Sequence, residues 1–221
     1  MNTPMRTLAA AGLATLLGAC GRPASEFPPQ SATDPAPAPA PAAEATAGEA
    51  PADAFLAAIA GHCGQAFAGR IVANEPPPPE DPFTGKALLM HVRECGPDEV
   101  KIPFHVGDDR SRTWVLSRDA DGLRLAHDHR HEDGSPDDVT LYGGVATTPG
   151  TAVRQEFPAD GTTRTLFGAH GLAASLSNVW AMEIEPGKRF LYELARPDGR
   201  LFQVEFDLTA PVPEPPAPWG H

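Results

Sequence analysis

The 221-residue sequence is poor in cations. It contains only three lysines, and its 17 Lys and Arg residues against 29 Asp and Glu residues give a formal net charge of −12 at pH 7. Proteins that bind nucleic acids neutralise phosphates with clustered Lys and Arg side chains, so this composition argues against nucleic acid as a partner. We attribute the acidic charge to solubility.

The sequence motifs of several reaction types are also absent. The chain has no G-x-S-x-G nucleophile motif, no glycine-rich phosphate loop and no C-x-x-C-H haem attachment motif. Each of these places a reactive or cofactor-binding group at a turn whose geometry depends on that spacing. We therefore expect a binding protein rather than an enzyme, and any enzymatic role would need a metal bound by histidines.

Long hydrophobic runs are limited to the N-terminus, where the run Leu8–Leu17 follows Arg6. The run is too short for a permanent membrane span, and the small residues of Leu17-Gly18-Ala19-Cys20 are typical of a cleavage site. This segment resembles a bacterial lipoprotein signal peptide, with residues 17–20 matching the lipobox. The resemblance implies removal of residues 1–19 and acylation of Cys20. Because Gly21 follows, it also implies anchoring in the outer membrane, facing the periplasm.

Proline is unevenly distributed along the chain. Many of the 26 prolines lie in the two flanks, where a composition without enough apolar surface cannot form a core. We expect residues 20–52 to be a disordered Pro/Ala-rich tether and residues 210–221 to be a disordered tail. Residues 53–209 then form one folded domain.

The folded domain shows mainly the period-two alternation of β-strands. Asp53 is expected to cap one short helix that ends before Gly61, and strands follow at short intervals, including one at Thr162–Phe167. The pattern predicts an all-β domain: an antiparallel meander of about nine or ten strands that closes into a barrel, because closure removes exposed strand edges. In outline this architecture is similar to the calycin barrels, although Gly69-Arg70-Ile71 stands where a lipocalin would have its G-x-W motif.

The last three strands have the clearest inward rows. They are predicted at Val179–Glu185, Arg189–Arg196 and Arg200–Leu208, with turns at Pro186-Gly187 and Pro197-Asp198-Gly199. Alternate positions point to one face of a strand. The predicted inward residues are Trp180, Met182, Ile184, Phe190, Tyr192, Leu194, Phe202, Val204, Phe206 and Leu208.

Two cysteines remain in the predicted mature domain besides Cys20. Export to an oxidising compartment favours a disulfide between Cys63 and Cys95. Two free core thiols, or a metal site that includes His62, are the alternatives at this stage.

A histidine cluster lies in the stretch Gly122–Gly144. In a strand, His127, His129 and His131 continue the face of Leu123 and Leu125, whereas the opposite face, with Asp128 and Arg130, is expected to be solvated. On the strand that begins at Glu99, His105 is also expected to face outward. Neutral imidazoles at alternate positions can bind Zn or Cu, and an inward histidine can ligate haem.

The sequence therefore leaves three hypotheses. The first is an outer-membrane lipoprotein whose barrel binds a small apolar or amphipathic ligand. The second is a metal- or haem-binding periplasmic protein that uses His127, His129 and His131, with a further ligand such as His91, Glu94 or His170. The third is a passive envelope component with a filled core. Oligomeric state is not predicted. For the first hypothesis, the residues expected to supply the polar and aromatic groups of the site are His127, His129, Tyr142, Trp114 and Arg130.

Overall fold

The computed structural model describes residues 50–220 of the chain. It contains two α-helices, one 3₁₀ helix and eleven strands. In chain order they are α1 (Pro51–Ala60), β1 (Ala66–Glu75), β2 (Leu88–His91), β3 (Glu94–Cys95), β4 (Glu99–Val106), β5 (Asp109–Asp119), β6 (Gly122–His129), β7 (Tyr142–Val145), β8 (Arg154–Pro158), α2 (Gly161–Ala169), the 3₁₀ helix (Ala173–Ser177), β9 (Val179–Glu185), β10 (Arg189–Ala195) and β11 (Leu201–Val212).

The strands form one antiparallel sheet that is nearly closed. Its order is β7-β6-β5-β4-β2-β1-β11-β10-β9-β8, with the short β3 paired to β4 at the side. The chain therefore winds around the barrel as a meander, and the first strand pairs with the last, Ile71 opposite Val204 for example. The predicted all-β barrel with one short N-terminal helix and about ten strands is confirmed, and the structure adds α2.

The seam of the barrel lies between β7 and β8. No strand ladder joins them, but α2, which follows β8 in the chain, is bonded to β7. The Thr163 hydroxyl accepts from Gly143 N at 2.7 Å and donates to Gly143 O at 2.8 Å. Glycine is required beside this contact. A Cβ on Gly144 would lie 1.9 Å from the carbonyl oxygen of Pro158, so only a residue without a side chain lets the two strands approach this closely.

Helix α1 covers one end of the barrel. It packs against β4, β5, β8 and β9, and Phe55, Leu56 and Ile59 are buried in the core. We name this the closed end. Pro51 occupies the first turn, where its missing N–H is not needed, and the N-cap is Ala50. Asp53 is not the cap. Its carboxylate instead accepts a hydrogen bond from Arg118 Nε at 2.7 Å.

The predicted disulfide is confirmed. Cys63 and Cys95 are bonded, with a sequence separation of 32 residues. The bridge joins the segment after α1 to the short strand β3, so it fastens the helix to the wall of the barrel at its closed end.

The predicted inward rows of β9, β10 and β11 are buried. Nine of their ten residues are among the buried core, and Leu194 packs against that core while half-buried. Such a row forms because one face of each strand must leave water while the other stays solvated.

The segment Thr162–Phe167 is a helix, and the prediction of a strand there is wrong. Its β-branched threonines favour a strand in isolation. Asp160, however, is the N-cap of α2, and its carboxylate accepts from Thr163 N at 2.8 Å. The cap and the packing of Phe167 on the core determine the structure here.

The C-terminal segment differs from the predicted disordered tail. Strand β11 continues to Val212, and the residues that follow pack on the outside of the barrel, where Trp219 N donates to Arg110 O at 3.1 Å. This segment lies beside His105, which is only 3 % exposed. The outward orientation predicted for His105 therefore does not expose it to water.

None of the helices within residues 50–220 is long and apolar enough to cross a membrane. The lipobox, Cys20 and most of the predicted tether lie outside the described residues.

Candidate functional site

A cavity of about 250 Å³ lies inside the barrel. It is at the end opposite α1, where β5, β7, β9 and β11 begin and β1, β4, β6, β8 and β10 finish. We name this the open end. The cavity is lined by Phe83, Phe104, Arg112, Thr113, Trp114, His127, His129, Val139, Tyr142, Phe167, Leu172, Ser175, Asn178, Trp180, Tyr192, Leu194, Arg196, Arg200 and Phe202. Its volume is slightly below the usual range of about 300–1,000 Å³ for drug-sized ligands, so it suits a small molecule.

Aromatic rings form most of the cavity wall. Trp114 stacks between two of them, with centroid distances of 4.8 Å to Phe104 and 4.5 Å to Tyr192. Trp180 and Phe167 continue the wall on the other side of the barrel. These side chains are placed by the inward rows of four strands and by α2. Apolar walls with a few polar groups are typical of ligand sites.

Two histidines and two tyrosines make hydrogen-bonded contacts in this wall. Tyr192 Oη lies 2.8 Å from His127 Nε2, and His127 Nδ1 lies 3.2 Å from the carbonyl oxygen of Tyr142. Since a carbonyl can only accept, Nδ1 is assigned the proton, and Nε2 accepts from the Tyr192 hydroxyl. The Tyr142 ring stacks on His127 at 4.8 Å, and its hydroxyl lies 3.0 Å from His129 Nε2.

Burial keeps this group neutral. It lowers the pKa of His127 to about 3 and that of His129 to about 4, because the charged imidazolium loses its hydration. Burial also raises the pKa of Tyr142 to about 12. At neutral pH the four rings therefore present hydroxyl and imidazole dipoles without net charge.

Four of the five residues predicted for a ligand site line the cavity: Trp114, His127, His129 and Tyr142. Arg130 does not. It follows β6 and donates from Nε to Asp128 at 3.0 Å on the outside of the barrel. Asp128 is itself 3 % exposed, because Thr140 and Arg130 cover it. The outer face of β6 is thus covered at this point, and the prediction that it is solvated is wrong for Asp128.

The three predicted metal ligands are not assembled into a site. Strand β6 ends at His129, so His131 lies in the following loop and is exposed. Both ring nitrogens of His127 are engaged by tyrosine oxygens, which leaves no lone pair for a metal or a haem iron. Across residues 50–220 no group of three or more His, Cys, Asp or Glu side chains is arranged to hold a metal ion.

Three arginines that were not predicted as site residues also line the cavity: Arg112, Arg196 and Arg200. Arg196 and Arg200 flank the turn between β10 and β11, and their sequence neighbours Pro197-Asp198-Gly199 indicated only a turn. The order of the turns along the chain could have identified these two arginines as neighbours of the cavity. In a meander every second turn lies at the same end of the barrel, and this turn shares the end with His129.

Comparison with known proteins gave no relative: no protein-family model, no curated protein and no solved structure matches this chain.

Proposed function

We propose that this chain is an outer-membrane-anchored periplasmic lipoprotein whose barrel binds a small apolar or amphipathic molecule. The cavity at the open end carries the proposal. It is enclosed by stacked aromatic rings, and its polar groups converge from three strands: Tyr192 from β10, His127 from β6 and Tyr142 from β7. A passive barrel would be expected to fill this volume with side chains, since protein interiors are close-packed.

Export and anchoring are supported by the sequence and by one covalent bond. Residues 17–20 match the lipobox, and the Cys63–Cys95 disulfide is of the kind that persists outside the cytoplasm. Acyl chains on Cys20 would hold the protein at the membrane surface.

The anchor is tested with the native protein and a Cys20→Ser variant. Mass spectrometry of the native N-terminal peptide should show a lipid-modified Cys20, and the protein should fractionate with outer membranes. The Cys20→Ser variant should lose both the lipid mass and the fractionation with outer membranes. An unmodified Cys20 in the native protein would contradict the lipoprotein proposal.

The binding function is tested with the chain carrying Cys20→Ser, which lacks the acyl chains. Calorimetric titration with the neutral probe 2-naphthamide should show one binding site, and the fluorescence of Trp114 and Trp180, both in the cavity wall, should change in parallel. Leu194→Trp fills the cavity and should abolish binding. Val72→Trp, on the outside of β1 and 37 % exposed, is the matched control.

Two results would contradict the binding function. Absence of binding in the unsubstituted barrel would favour the passive envelope role. Equal binding in Leu194→Trp and Val72→Trp would place the probe outside the cavity.

A further inference from the structure

The two arginines at the mouth of the cavity have an unusual set of partners. Arg196 donates from Nε to Asn178 Oδ1 at 2.6 Å and from Nη2 to Ser175 Oγ at 3.5 Å. Arg200 donates only from Nη1, to Asn74 Oδ1 at 2.8 Å and to the carbonyl oxygens of Pro76 and Leu201. All of these acceptors are neutral. Within residues 50–220, neither guanidinium has a carboxylate within ion-pair distance.

Arginines on the outer wall of β8 and β10 are neutralised. Arg154 of β8 donates to Glu156, Glu183 and Glu193, at 2.7 to 3.0 Å. Arg189 of β10 donates to Glu183 at 2.9 Å and to Glu185 at 2.8 Å. A chain with 29 acidic residues thus supplies carboxylates to these arginines and none to the pair at the mouth.

The nearest acidic groups are already engaged. Asp81 accepts from Asn74 Nδ2 at 2.7 Å and from Phe83 N at 2.9 Å. Asp198 accepts from the backbone N–H of Arg200 at 3.1 Å. Both carboxylates act on Arg200 at longer range, as does the positive charge of Arg196. Both arginines line the same two spaces, and a bound anion would relieve the repulsion between their charges.

The pair stands between two spaces. Leu194, Arg196 and Arg200 line the inner cavity, and the same three residues line an outer recess of about 410 Å³ together with Asp198 and the proline run Pro76–Pro79. The inner space is walled by rings, whereas the outer one is bordered by prolines and polar side chains. A molecule that extends from one space into the other would contact the two guanidinium groups.

We propose that the ligand is an anionic amphiphile: a flat apolar body in the aromatic cavity and a carboxylate or phosphate held by Arg196 and Arg200. This inference rests on the proposed binding function and defines its ligand class. The planar guanidinium fork matches the geometry of both anions. The stacked rings around Trp114 favour a planar body over a branched one.

Matched probes of one ring system test the proposal. The Cys20→Ser full chain is titrated with 2-naphthoate, 2-naphthyl phosphate and the neutral 2-naphthamide. We expect at least one anion to bind about tenfold or more tightly than the amide, since hydrogen bonds to charged groups are stronger than neutral ones. Comparing naphthoate with naphthyl phosphate then distinguishes a carboxylate from a phosphate ligand.

The arginine pair is tested by substitution. Arg196→Gln/Arg200→Gln should reduce the affinity for the preferred anion to that of the amide and leave amide binding unchanged. Arg196→Lys/Arg200→Lys should retain part of the preference, because the charge is kept without the fork. Arg70→Gln/Arg189→Gln, which removes the same charge from the outer wall, is the control and should retain the full preference. The melting temperature of each variant checks its folding.

The outcomes separate this inference from the binding function. If the unsubstituted barrel binds the anions and the amide equally, the inference is overturned while the cavity remains a binding site. If the anion preference survives in Arg196→Gln/Arg200→Gln, or if that folded variant loses the amide as well, the inference is also overturned. If no probe binds, the binding function itself fails.

Discussion

The two ends of the barrel use the same inward rows for different purposes. At the closed end, helix α1 places Phe55, Leu56 and Ile59 inside the wall, and the Cys63–Cys95 bridge fastens the chain beside it. At the open end the rings of Trp114, Trp180 and their neighbours surround a cavity of about 250 Å³.

Arginines at the two ends differ in their partners. The closed-end Arg118 pairs with Asp53 at 2.7 Å, while Arg196 and Arg200 at the open end donate hydrogen bonds only to neutral oxygens. Arg112, which also lines the cavity, is paired with Asp109. Under the proposed binding function, stability and recognition are assigned to opposite ends. Substitutions at the closed end should therefore change the free energy of unfolding without changing affinity, and those at the cavity mouth should do the reverse.

The contrast between the two ends requires that the open end is firmly folded. The substitution Gly144→Ala tests how tightly β7 and β8 pack at the seam. The added Cβ would lie 1.9 Å from Pro158 O, which forces β7 and β8 apart. We expect a loss of more than about 4 kcal/mol in the free energy of unfolding, measured by urea denaturation. Gly168→Ala, whose Cβ would meet no atom within 4 Å, is the control and should be neutral or stabilising. A small loss of unfolding free energy in Gly144→Ala would show that β7 and β8 are loosely packed at the seam.

Phe55→Ala removes the centre of the closed end. Phe55 is fully buried, so the loss of packing and the resulting void should cost about 3–5 kcal/mol. At a temperature where the variant is folded, its affinity for the neutral probe should equal that of the parent chain. A change in affinity comparable to that of Leu194→Trp would mean that the two ends are not independent.

Removal of the disulfide should have a slightly smaller effect. Cys63→Ser/Cys95→Ser opens a loop with a sequence separation of 32 residues, for which the loop-entropy model gives about 3–4 kcal/mol. Denaturation of the parent chain with and without a reducing agent provides the same comparison without mutation. Probe binding by the folded protein should not change, and its loss would contradict the assignment of this bridge to stability alone.

Acid should weaken the open end in particular. His127 and His129 bind protons near pH 6.5 when unfolded, but only near pH 3 and pH 4 in the barrel. Between these values the unfolded chain binds more protons, so stability falls as the pH falls. Each fully neutral histidine should contribute a loss of about 2 kcal/mol between pH 7 and pH 5.

His127→Gln isolates this contribution. Glutamine can hydrogen-bond but does not titrate, so the difference in unfolding free energy between pH 7 and pH 5 should shrink by about 2 kcal/mol. His131→Gln, at an exposed position, is the control. An unchanged pH dependence in His127→Gln would show that the imidazole is not held neutral.

The smallest effects on stability are expected for two arginine substitutions, one at the ion-paired Arg118 and one at Arg200, which has no ion pair. Arg118→Gln breaks a partly exposed ion pair and should cost at most about 1 kcal/mol, with no effect on the binding of 2-naphthoate. Arg200→Gln removes no ion pair and should change stability by less, while weakening 2-naphthoate. The reverse pattern would overturn the division between the two ends.

Most of the barrel was predictable because its signal is local. Alternation in β9, β10 and β11 identified the inward residues from Trp180 to Leu208, since a sheet with one wet face requires it. The same alternation placed His127 and His129 on the face of β6 that lines the cavity.

The failures concern what covers a face and what caps a segment. His105 and Asp128 are buried on the outside of the barrel by the C-terminal segment and by the loop after β6, and alternation contains no information on such covering. The segment Thr162–Phe167 was predicted as a strand because it continues the series of short segments before it, whereas the N-cap at Asp160 begins a helix there. Arg196 and Arg200 were missed because their role depends on which turns share one end of the barrel, which is a property of the whole meander.

A crystal structure of the barrel soaked with 2-naphthoate would show whether the arginine pair holds the anion. We expect the naphthalene ring among Trp114, Tyr192 and Trp180, with the carboxylate within hydrogen-bond distance of the Arg196 or Arg200 guanidinium. A naphthoate bound on the outer wall, or one inside the cavity with its carboxylate turned away from both arginines, would contradict this expectation.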